Sequence, residues 1–242
     1  MSHIHLPDGV IAPVWWVPAW IVCATLVWLF AKRLKGDEVR RKIPFTGVVG
    51  ALMLIFMSVP LGFLPVHLSL AVLCGILAGP GLGFIAVFTV NTILALMGHG
   101  GFTTIGLNAL VMGSEAVLGY YLFKVLSAKW GTAGSAVIAN LVTLLLSTAL
   151  MVVIVASAVG LPQALPIHSH DEDASHLHSD EAEPVGEQDE TPANIRFLSL
   201  SGWSAAAVIV LAGILIESVV TGLIVRFFSR VRPDLLDAAV QR

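Results

Sequence analysis

Charge is scarce in this 242-residue chain. Only 12% of its residues are Asp, Glu, Lys or Arg, against about 25% in soluble domains. With 57% hydrophobic residues and a mean hydropathy of +0.89, so few charges cannot cover a water-soluble globule of this size. An ordinary cytosolic enzyme is excluded. The net charge of -3 leaves no basic face for phosphates, which argues against a nucleic-acid partner. Cysteine is scarce too: Cys23 and Cys74 both sit in apolar runs, so no disulfide framework is expected. The period-two alternation of a membrane barrel is missing. So is the phosphate-binding G-x-x-x-x-G-K-[ST] loop. No H-E-x-x-H protease motif occurs, and no repeat at a fixed period is visible. The first nine residues lack the basic region of a secretory signal, and no small-residue cleavage pattern ends the first apolar stretch. That stretch is expected to be retained as a helix. What remains is an all-α integral membrane protein.

Seven apolar stretches are present, near 14–31, 45–64, 67–79, 82–98, 106–126, 133–160 and 202–228. A helix needs about 20 residues to cross the hydrocarbon core. The third and fourth are short and separated only by Gly79-Pro80-Gly81, which predicts a tight helical hairpin. Basic residues cluster in three places: Lys32, Arg33, Lys35 and Arg40 to Lys42; then Lys124 and Lys129; then Arg226, Arg230 and Arg232. By the positive-inside rule these three are cytoplasmic. A bundle of about seven transmembrane helices then has its N-terminus outside and its C-terminus in the cytoplasm. Every histidine falls on the outer side, although the assignment used none of them. Four segments follow. Residues 1–12 form an extracytoplasmic N-terminal metal-binding segment, and 13–160 a six-helix membrane core. Residues 161–200 form an acidic, His-rich extracytoplasmic loop, and 201–242 the last helix with a cytoplasmic tail. The 161–200 loop holds nine of the chain's 16 acidic residues. It also holds His168, His170, His176 and His178. Its composition supports no core, and disorder is expected.

Histidine placement points to metal chemistry. His3 lies near the chain's free amine. If Met1 is removed, the Ser2 amine, the His3 amide nitrogen and the His3 imidazole supply three nitrogens in one plane. A fourth nitrogen from another loop completes a square, a geometry favouring Ni(II) or Cu(II). If Met1 is kept, Met1-Ser2-His3 can supply four nitrogens alone. The blander alternatives are an incidental terminal histidine at His3 and an interfacial one at His67, which follows Pro65. The 168–178 cluster reads as an exposed tract that binds divalent ions loosely.

Three ordered segments carry a resemblance. His3-Ile4-His5-Leu6-Pro7-Asp8-Gly9 is similar to the Met-His-Ile-Pro-Asp-Gly opening of the CbiM/NikM family. These are the substrate-binding membrane subunits of energy-coupling factor (ECF) transporters for cobalt and nickel. Gly98-His99-Gly100-Gly101-Phe102-Thr103-Thr104-Ile105-Gly106-Leu107-Asn108 resembles a second family segment, with His99 where the family has Asp. His67 ahead of an apolar helix ending in Gly79-Pro80 resembles a third. The likeness covers about residues 1–160. Besides His99, three further departures are visible: an extra residue before His3, His5-Leu6 inserted before Pro7, and Leu64-Pro65-Val66 in place of a Gly/Thr/Ser-rich run. The resemblance implies a metal held by the N-terminal amine (Ser2), His3 and His67, with His5, Asp8, His99 and Asn108 in the surrounding loops. It implies Ni2+ or Co2+ as transported substrate, no organic cofactor, and a role upstream of cobalamin biosynthesis when the metal is cobalt. The implied partners are a membrane coupling subunit, cytoplasmic ATPase subunits and an optional small accessory membrane subunit. The implied location is the plasma membrane of a bacterium or archaeon.

Several residues keep two readings. Asn108 is expected to fix a ligand histidine's ring or to join two helices. Glu115 and Glu217 lie inside apolar spans and far from the outer surface, so they read as bundle-packing or subunit-contact residues. Ala71, Gly75 and Gly79 form a small-residue face for packing within the chain or against a partner. Two other functions compete. A stand-alone carrier or channel needs a polar path through the membrane, for which only Glu115 and Glu217 qualify. An intramembrane hydrolase needs a nucleophile and a histidine at one depth; Ser114 and Ser147 lie inside spans, but every histidine is at or beyond the outer edge.

Overall fold

The computed structural model describes residues 6, 8–9, 11–34, 36–59, 67–159, 196–197, 200–201 and 203–236. Ser2, His3, His5 and the 168–178 histidines lie outside the described residues, as does the loop expected to be disordered, apart from its last residues. The described residues form a bundle of seven α-helices: α1 (Pro13–Arg33), α2 (Asp37–Ser58), α3 (Ala71–Ala78), α4 (Pro80–Leu96), α5 (Ile105–Ser127), α6 (Thr132–Val159) and α7 (Trp203–Val231). A short antiparallel pairing, Arg196–Phe197 with Leu200–Ser201, precedes α7, and a 3-10 turn at Pro233–Leu235 follows it.

Each apolar stretch becomes one helix, but not all seven cross alike. Among the described residues α1, α5, α6 and α7 are long and apolar enough to span a membrane. The apolar parts of α2 and α4 are 17 residues or fewer, at most about 26 Å at 1.5 Å per residue. α2 starts at Asp37, inside the basic segment, because Arg, Lys and Glu are good helix formers and propagate the helix back to Gly36.

α3 and α4 form the expected hairpin. Its turn is a single residue, Gly79, with φ of +91°. A Cβ on Gly83 would lie 3.0 Å from the Gly75 Cα, so the two helices touch backbone to backbone. α3 itself is wedged deep in the bundle, with all eight residues buried. A Cβ on Gly75 would come within 2.0 Å of the Ala116 carbonyl oxygen of α5, so only glycine fits there. The small-residue face therefore packs within the chain.

The core lies where α3 meets α2, α4 and α5, around Met53, Leu73, Leu77, Val87 and Phe123. Outward-facing residues such as Ile21, Ile55, Leu146 and Leu215 remain exposed and apolar. That is the surface a lipid-facing bundle requires and a soluble one avoids.

Candidate metal centre

The end of the bundle opposite the α3–α4 turn holds Asp8, His99 and Asn108 of the predicted site. Its scaffold is the segment between α4 and α5. α4 ends when Gly98 and Gly100 take φ of +83° and +98°, a left-handed backbone that glycine adopts without penalty. His99 stands exposed between them. The chain then turns through Gly101 to Thr104 and enters α5. Trp20 of α1 steadies this turn by donating from its ring N–H to the Thr103 carbonyl at 2.8 Å.

Onto this scaffold the N-terminal segment is pinned at two points. Leu6 is buried against Ile11, Leu107, Val111 and Met151. Its N–H donates to Asn108 Oδ1 at 3.2 Å. Its carbonyl accepts from Gly101 N–H at 3.0 Å, Thr104 Oγ1 at 2.5 Å and Asn108 Nδ2 at 3.4 Å. Asp8 provides the second point. Its carboxylate accepts from Phe102 N–H at 2.9 Å, Thr103 N–H at 2.8 Å and Thr103 Oγ1 at 2.5 Å. The Thr103 hydroxyl first, then the two amides, hold the Asp8 carboxyl below its usual range. The carboxylate also sits just ahead of the positive end of α5, where negative charge is favoured.

Asn108 has neither of its two expected kinds of partner among the described residues. Its described partners are the Leu6 peptide and Thr104, not a histidine ring or a facing helix.

His67 is half-buried at the start of a non-helical stretch, 67–70, that leads into α3. Burial first, with a contribution from the His99 charge, pushes its imidazole below the ordinary 6.5. His67 and His99 therefore share one neighbourhood, and His67 is biased toward the neutral form that coordinates metal. No group of three His, Cys, Asp or Glu ligands occurs among the described residues. A set of three such ligands at this end would have to draw on donors outside the described residues.

The stretch after His67 was missed by sequence reasoning. Leu68, Ser69 and Leu70 are buried without being helical. Glu217, from the middle of α7, takes up their donors. It accepts from Ser69 N–H at 3.1 Å, Ser69 Oγ at 2.7 Å and Leu70 N–H at 3.0 Å. The sequence did flag Glu217 as a buried carboxylate in a span, but its partner lies 148 residues away. Glu115 has the structural role expected of it, accepting the Ser147 hydroxyl between α5 and α6.

Comparison with known proteins bears on the family and the fold. The family model described as the cobalt uptake substrate-specific transmembrane region, CbiM, matches residues 5–235. A protein of Haloquadratum walsbyi assigned to metal transport is 31% identical over 167 residues, 66% of this chain and 74% of that protein. Another, of Methanocaldococcus jannaschii and likewise assigned, is 30% identical over 134 residues, 53% of this chain and 60% of that protein. Two crystal structures share the fold at 20% identity. One, of a transition metal transporter, has a TM-score of 0.66 and covers 98% of both chains. The other, of a truncated transition metal transporter, has a TM-score of 0.65 and covers 94% of this chain and 99% of its own.

Proposed function

The chain belongs to the CbiM family of cobalt uptake transmembrane regions, and from that premise we propose that it is the metal-capturing subunit of an ECF-type importer of Co(II) or Ni(II). It is a multi-pass membrane component of transition-metal transport and not an enzyme. In the proposed reading the histidine end faces outward from a bacterial or archaeal plasma membrane, and the basic end faces the cytoplasm. Cargo is held by the N-terminal amine (Ser2 once Met1 is removed), His3 and His67, with His99 at the rim.

The observation that carries the reading is the double pinning of Leu6 and Asp8. It brings the chain that directly follows His3 and His5 to the end of the bundle where His67 and His99 stand. A fixed anchor that close to the donors lowers the ordering cost of coordination. Binding of cargo requires neutral imidazoles and a neutral amine, so acid opposes it. The acidic, His-rich loop 161–200 raises local cation concentration by attraction and loose coordination. The chain carries no phosphate-binding loop, so uphill transport draws on cytoplasmic ATPase subunits through a membrane coupling subunit.

Uptake of radioactive nickel or cobalt into vesicles tests this. The chain reconstituted with ATPase and coupling subunits is expected to concentrate metal only with ATP inside the vesicle-accessible pool. ATP-independent uptake by the chain alone would instead establish a carrier or channel.

A further inference from the structure

The non-helical backbone at 67–70 is unusual in position. α3 has only eight residues, so its first residue stands about 12 Å from the Gly79 turn. That turn lies with Arg33 and Lys42, at the basic end. Glu217 is nine residues before Arg226, about 13 Å by the same rise. The carboxylate and the start of α3 therefore meet at one depth, near the middle of the bundle. Irregular backbone survives there only when the protein satisfies its polar groups. Leu70 adds a second cost. It is the one described non-glycine residue with positive φ, +53°. A bulky residue holds this conformation only where its surroundings over-determine it. The fully buried Glu217 carboxylate does so, binding the amides of Ser69 and Leu70 and the Ser69 hydroxyl together.

We propose that Glu217 is a positioning residue for metal capture: it fixes the broken start of α3 and so sets where His67 stands. The inference rests on the reading of His67 as a cargo ligand. Ser69 is two residues from His67, so a backbone shift at the clamp moves the imidazole directly. A residue that orients a ligand in this way is worth about 10–100-fold in metal affinity. The same tie links the donor loop to the closing helix α7, so a shift of α7 against α3 would displace His67.

The test compares the full chain with Glu217→Gln, Ser69→Ala, Glu115→Gln and His67→Ala. Ni(II) affinity is measured by calorimetry, melting temperature by scanning fluorimetry, and ligand field by the visible spectrum of the Co(II)-loaded protein. Glu217→Gln keeps one acceptor oxygen but turns an amide NH2 toward the Ser69 N–H. It is expected to weaken Ni(II) binding about 10–100-fold and to alter the Co(II) spectrum. Ser69→Ala removes the hydroxyl that donates to Glu217 and accepts from the Ala71 N–H at 3.3 Å, but leaves both backbone donors of the clamp, so it should weaken binding several-fold while folding normally; it decides the question if Glu217→Gln does not fold. Glu115→Gln disturbs a buried carboxylate elsewhere, and should lower the melting temperature without moving affinity or spectrum. Wild-type affinity and spectrum in folded Glu217→Gln and Ser69→Ala, beside loss of binding in His67→Ala, would overturn the positioning role alone. Unchanged binding in His67→Ala would overturn the ligand reading and this inference with it.

Discussion

Replacing Asn108 by Ala isolates the pin that holds the N-terminal segment. Asn108 is buried, and the change removes both of its hydrogen bonds to the Leu6 peptide. Each neutral bond contributes about 1 kcal/mol net, so docking weakens by about 2 kcal/mol, or roughly 30-fold. The Leu6 carbonyl keeps Gly101 and Thr104 as donors. The Leu6 N–H, in contrast, loses the acceptor it has in Asn108, so the cost falls mainly on that amide. Hydrogen exchange followed by mass spectrometry on the N-terminal peptide should show protection at Leu6 falling by about that factor. Because affinity scales with the docked fraction, the Kd for Ni(II) should rise by up to about 30-fold. Unchanged protection would refute the pinning argument. Lost protection with wild-type affinity would show that the segment takes no part in holding metal.

Other perturbations bear on separate parts of the account. The lowered His67 value means that this imidazole should stay neutral below the pH at which an ordinary histidine protonates; an NMR titration of His67 in the metal-free chain should give a midpoint under 6.5. Asp8 is also depressed, so its contribution to docking is complete above the usual carboxylate range and is lost only as pH falls through its lowered value. Between pH 5 and 8 the Asp8 clamp should therefore stay constant, and exchange protection at the Phe102 and Thr103 amides, corrected for the intrinsic rate, should not change across that window. Deleting 168–190 should slow uptake at scarce metal while leaving high-affinity binding intact, which uptake curves and calorimetry together can check. Gly75→Ala places a methyl against the Ala116 carbonyl; overpacking of this kind costs about 1–3 kcal/mol or more, seen as a lower melting temperature.

The helices were legible in the sequence because each is an apolar run bounded by charge or glycine. The α3–α4 hairpin was legible from Gly79-Pro80-Gly81 alone. The break at 67–70 was not, because hydropathy runs on unbroken from Leu68 into α3, and a helix and a buried extended segment look alike at that length. What ends the helix is a carboxylate on another element, and the sequence shows that Glu217 is buried but not what it binds. Asn108 illustrates the same limit. Its place one turn into α5 marked it as a site residue, yet its partner is a peptide group, which no residue pattern records. The start of α2 was missed because hydropathy marks where lipid contact begins, not where helical hydrogen bonding begins.

The central claim is that one metal ion is captured between the N-terminal residues and His67. Intact mass spectrometry of the purified chain, native and denatured, tests it most directly. The account predicts a denatured mass lacking Met1, one nickel or cobalt ion on the native wild type, and none on His67→Ala. A wild-type chain that carries no metal under conditions that preserve it, or a His67→Ala chain that carries one equally well, would contradict it.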